Sequence, residues 1–219
     1  MSKANERKIN CYHESGHAVM AWIEGIEIIE MRLVPDDEPG KHAATTALDC
    51  PGIEPEDWTL HQIVSVMRIA LAGTEGERRG PLPVSPLERS FAELENKQHL
   101  LMAMEYANQF GAGRIEHDAI PIFAASAEQD VIAVFKHACV TRCIEALARE
   151  LLRRECIAGP DAEAFIASRI TDEQRLVLRQ ECCLTGAKAM QDESPTPTSP
   201  ARLASGLFPK GTLRDENPS

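Results

Sequence analysis

Five consecutive residues carry most of the chemical information in this chain: His13, Glu14, Ser15, Gly16 and His17, an HExxH pattern. An α-helix turns once in about 3.6 residues, so side chains four apart lie one above the other on a single face. On a helix, His13 and His17 therefore present two imidazoles to the same point in space. Such a pair suits a Zn²⁺ ion, which takes nitrogen ligands at about 2.0–2.1 Å. Glu14, one step around from His13, is placed to take a proton from a water on that ion, as in metal-assisted hydrolysis of a carbonyl. Gly16 leaves room for a second backbone to approach closely, at a helix-propensity cost of about 1 kcal/mol relative to Ala. A catalytic zinc site needs a third protein ligand and keeps its fourth position for water. Glu75, Glu77, Glu93, Glu95 and His99 are all candidates, and spacing alone does not choose among them.

The elements that must position these groups follow from periodicity. Residues 6–24 read as a helix, with Ile9, Val19, Met20 and Ile23 among its apolar positions and Gly25 as its stop. Residues 26–35, IEIIEMRLVP, read as a strand of imperfect alternation, and DDEPGK after it is turn chemistry. HAATTAL, residues 42–48, is its expected partner strand. Residues 58–72 place Ile63, Val66, Met67, Ala70 and Leu71 on one helical face. After the Pro- and Gly-rich stretch 80–86, further helices are expected over 92–110 and, as one long element, over 131–155. Pro160 opens a short helix through Ala164, Phe165 and Ile166. The expected organisation is a mainly α domain over residues 1–190, with a small β-hairpin or sheet beside a zinc site on the HExxH helix. Residues 191–219, with their DESPTPTSP composition, are expected to form a disordered tail.

Composition bounds the partners. The chain has 219 residues, 34 acidic and 23 basic, for a formal charge of −11, which argues against a nucleic-acid groove because phosphate binding needs a surplus of Lys and Arg on one face. No run approaches the roughly 20 apolar residues of a membrane span. The opening MSKANERKIN lacks the apolar core of an export signal, so a cytoplasmic protein is expected. Seven cysteines without a CxxC pair read as reduced structural thiols, with Cys139, Cys143 and Cys156 assigned to a helical pattern. The charge runs, Arg78–Arg79 and Arg153–Arg154 among them, read as solvated faces.

Several segments together resemble the peptidase domain of FtsH-type ATP-dependent zinc metalloproteases. CYHESGHAVMAW, followed by a strand ending in LVP, is similar to that family's HEAGHA helix and following strand. IALAGTEGE at 69–77 resembles the family's LLAGRxAEE and places Glu77 on a family glutamate. YANQFG at 106–111 resembles MVxxWG, and counting back without a gap puts the family's ligand aspartate on Glu95. LARELLRRECIAGPDAEAF at 147–165 is similar to ALLExExIxGxE. The resemblance covers about residues 11–168 in order.

It implies a zinc endopeptidase in which His13, His17 and Glu95 hold Zn²⁺ and Glu14 is the catalytic base. It also implies an unfolded or flexible polypeptide as substrate, held along the edge strand at 42–48. The chain departs from the family in three ways. No GxxxxGK[ST] is present, so the unfolding motor is missing; the third ligand is Glu, one methylene longer than Asp; and Ser15 stands where alanine is common. A homo-oligomer and an ATPase partner acting in trans remain open. So does an alternative function: a catalytically weak or inactive relative serving as a binding or regulatory module.

Overall fold

The structure, a computed structural model, describes residues 3–33, 44–49, 59–80, 101, 104–105, 108–109 and 119–192. The described residues form a mainly helical fold around one small antiparallel sheet. In chain order the elements are α1 (Lys3–Glu24), β1 (Glu27–Leu33), β2 (Ala44–Asp49), α2 (Leu60–Glu77), α3 (Ile120–Phe135), α4 (Ala138–Arg154), β3 (Cys156–Ala158), α5 (Gly159–Ala167) and α6 (Asp172–Asp192). No described helix is long and apolar enough to cross a membrane.

α1 is the central element. Its segment Ala18–Ile23 (AVMAWI) is buried on every side, as expected of a helix surrounded by protein rather than lying on a surface. It packs on α2 and α4 and against the sheet. The sheet runs β2-β1-β3, which leaves β2 at an edge. Met31 lies opposite Thr46 on one side and Ile157 on the other. The imperfect alternation of β1 has a structural cause. The register shifts between Ile28 and Glu30, and the Ile28 N–H leaves the ladder to donate to the Glu163 carboxylate at 3.0 Å.

A buried ionic cluster ties the helices together. Arg68 on α2 donates to Glu24 at the end of α1 (3.0 Å), to Asp130 on α3 (2.9 Å from Nε) and to the Cys182 carbonyl on α6 (2.8 Å). Ser65 donates to the second Glu24 oxygen at 2.7 Å. A buried guanidinium is tolerated here because each of its edges meets an acceptor.

Several expectations need correction. The helix read as continuous over 131–155 is two helices. The chain breaks at His137, which is extended, and the Phe135 carbonyl accepts from the Thr141 hydroxyl (2.9 Å) and from Arg79 Nε (3.3 Å). Neither Gly nor Pro marks this break, so periodicity runs straight through it. The helix ending at Ala72 continues through Gly73 and Gly76 to Glu77. Cys156 is not helical: it opens β3 and is exposed, whereas Cys11, Cys143 and Cys182 are buried. α6 runs to Asp192, two residues past the expected boundary, and residues 193–219 lie outside the described residues. Of the helix expected over 92–110, residues 101, 104–105 and 108–109 are described and are helical.

Candidate metal centre

α1 and α2 cross at their glycines. A methyl on Gly16 would overlap the Ala72 carbonyl, and one on Gly76 would overlap the Tyr12 carbonyl, so the two backbones meet at a distance that only hydrogens allow. This is the close approach anticipated for Gly16. It brings the imidazoles of α1 onto the surface of α2, where Gly73 lies beneath them. A Cβ at Gly73 would stand 2.5 Å from His13 Nε2 and 2.6 Å from His17 Nε2.

The two rings converge. His13 Nε2 and His17 Nε2 are 2.9 Å apart, with ring centroids at 4.6 Å and planes at 78°. The other nitrogen of each ring is occupied by α2. His17 Nδ1 donates to the Ile69 carbonyl at 2.6 Å, and His13 Nδ1 donates to the Glu77 carboxylate at 2.5 Å. A carbonyl or an ionised carboxylate can only accept, so in the neutral rings both protons sit on Nδ1. Both neutral Nε2 atoms then aim lone pairs at each other at 2.9 Å, where they repel unless one ring carries a second proton and donates it to the other. A cation between them removes that repulsion. Two nitrogens on a tetrahedral zinc stand about 3.3 Å apart, so a few tenths of an ångström of opening would seat the ion. Donation of the remote ring N–H to a carboxylate or carbonyl is the usual support of a metal-binding histidine, because it fixes the tautomer and raises the basicity of the ligating nitrogen. The residues present therefore fit a divalent zinc-like ion.

Glu14, the residue after His13 on α1, is buried at 7% exposure. Its backbone carbonyl accepts from the Thr46 hydroxyl at 3.2 Å, which places edge strand β2 against the HExxH helix. The small sheet thus packs against the helix that carries the HExxH residues.

The candidate third ligands separate. Glu77 stands behind His13, on Nδ1, as a support and not as a ligand. Glu75 is buried and directed to Arg78 and Arg79, the latter at 3.1 Å; Arg78 is exposed, as expected of a solvated face, while Arg79 is half-buried. Glu93, Glu95 and His99 lie outside the described residues, as do His42 and Trp58. Among the described residues no third His, Cys, Asp or Glu joins the two histidines in a group of three that could hold a metal. His61 and His137 sit elsewhere, against Arg179 (3.2 Å) and Glu181 (2.8 Å).

Sequence reasoning missed the roles of Ile69, Gly73 and Thr46. A backbone carbonyl leaves no mark in a sequence. Gly73 did leave one, a helix-disfavouring residue within LAGTEGE, but it read as a helix end rather than as a cradle. No family model matches this chain, and neither does any curated protein.

Proposed function

We propose that this chain is a zinc-dependent endopeptidase. One observation carries the reading: two Nε2 atoms converge at 2.9 Å while both Nδ1 atoms are committed to acceptors on α2. The resemblance to FtsH-type peptidase domains supplies the reaction class, and Glu95 is the carboxylate it nominates to complete the ligand set with His13 and His17. Zinc, when bound, supplies a Lewis acid that polarises the scissile carbonyl and acidifies water.

The chain's own residues do the rest. His13 and His17 hold the ion, oriented by Glu77 and the Ile69 carbonyl. The Glu14 carboxylate takes the proton of the attacking water and returns it to the leaving amine. Its burial favours that transfer, because a carboxylate shielded from bulk water exchanges its proton with the reacting groups rather than with solvent. Strand β2 offers its outer edge to an extended peptide, which fits a substrate that is already unfolded or flexible.

The test is peptide cleavage by the zinc-loaded chain against Glu14→Gln. Loss of cleavage by at least a hundredfold with zinc retained supports the assignment. Zinc bound without cleavage by the unmodified chain, across a broad peptide pool, would move the reading to a binding or regulatory module.

A further inference from the structure

Resting on the peptidase reading above, we infer that Thr46 is a positioning residue that fixes the edge strand, and with it a bound peptide, relative to the helix carrying Glu14. β2 has no described neighbour on its outer side, and it approaches α1 at the HExxH segment. The register puts Thr46 directly opposite Met31, which is fully buried, so the two side chains share the face of the sheet that looks toward the core. Thr45, one residue earlier, is exposed. Only one of the two threonines can therefore reach α1, and its hydroxyl donates to the carbonyl of Glu14 itself at 3.2 Å.

That acceptor makes the contact specific. A carbonyl in the middle of a helix already accepts one bond from the N–H four residues on, and its second lone pair is normally left to solvent or to packing. Thr46 uses that second lone pair. Apolar packing between a strand and a helix has no direction and tolerates sliding. A hydrogen bond to the backbone of the general base sets the strand's height against that residue directly. A peptide paired on β2 inherits this height, and a displacement near 1 Å between reacting groups costs about a hundredfold in rate. The tether needs no polar group on the substrate, so it governs which bond faces Glu14 whatever the peptide's sequence.

The experiment compares the zinc-loaded full chain with Thr46→Val and Thr46→Ser on one quenched-fluorescent extended peptide, with products identified by mass spectrometry. Loss of one hydrogen bond predicts that Thr46→Val lowers kcat/KM about tenfold, mainly through kcat, at unchanged zinc content. Its cuts should also spread to bonds next to the one the unmodified chain prefers. Thr46→Ser keeps the hydroxyl and should restore both the rate, to within about twofold, and the single cut site. Wild-type kcat/KM and an unshifted cut site in Thr46→Val would overturn the inference while leaving the peptidase reading intact. So would a loss that Thr46→Ser fails to restore. Absence of cleavage by the zinc-loaded unmodified chain would instead overturn the peptidase reading, and this inference with it.

Discussion

Adding one methyl group at Gly73 tests the geometry of the centre without touching a ligand. In Gly73→Ala the new carbon would stand 2.5 Å from His13 Nε2 and 2.6 Å from His17 Nε2, where ordinary contact begins about 1 Å further out. The backbone there is helical, so the substitution itself favours α2 by about 1 kcal/mol. The nearest atoms are the ends of two side chains, which can turn away, so the fold should persist. The imidazoles cannot turn away and still converge. Metal–nitrogen bonds tolerate only about 0.2 Å of displacement, so a retreat near 1 Å removes at least one ligand. Zinc affinity should fall at least a hundredfold, while the thermal midpoint of the metal-free chain changes by a few degrees at most. Competition against a fluorescent zinc chelator reads the first quantity and circular dichroism the second. Wild-type zinc affinity in Gly73→Ala would refute the argument that the ion sits between these rings above α2.

Three further outcomes follow from the packing. Replacing Arg68 by Met leaves Glu24 and Asp130 buried without their shared cation, and should cost about 3–5 kcal/mol in urea unfolding; a loss below about 1 kcal/mol would mean the cluster is not structural. Ser15 buries its hydroxyl with no hydrogen-bond partner among the described residues, so Ser15→Ala should raise stability by about 1 kcal/mol, and an equal loss would show that the hydroxyl is satisfied. Burial pushes the Cys11 and Cys143 thiols from 9.0 up to about 12, so the unfolded chain ionises first as pH rises. The folded state keeps the full benefit below pH 9 and loses it progressively up to about pH 12, by about 3 kcal/mol for both thiols at pH 10. Urea midpoints at pH 7.5 and 10 should show this loss, roughly halved in Cys143→Ala; an identical loss in that variant would count against it.

What could be read from the sequence divides along physical lines. The face shared by His13 and His17 follows from helical geometry alone, and the burial of AVMAWI makes a helix there hard to avoid. Gly16 as a contact point was legible for the same reason, since only a missing side chain permits that approach. The α3–α4 break was not legible, because it depends on Thr141 and Arg79 competing for the Phe135 carbonyl. β3 was hidden by its length: of Cys156–Ala158 only Ile157 is buried, too few residues for a period of two to show. Glu75 and Glu77 looked equivalent as ligands. On the helix they project in different directions, one to Arg78 and Arg79 and the other to the back of His13.

The central claim is that His13 and His17 close on one divalent ion through Nε2. X-ray absorption at the zinc edge, on the full chain loaded with one equivalent of zinc, tests it most directly. The expected shell has two imidazole nitrogens at about 2.0–2.1 Å, completed by oxygen, and falls to one imidazole in His17→Ala. A chain that takes up no zinc, or a zinc shell unchanged by His17→Ala, would contradict it.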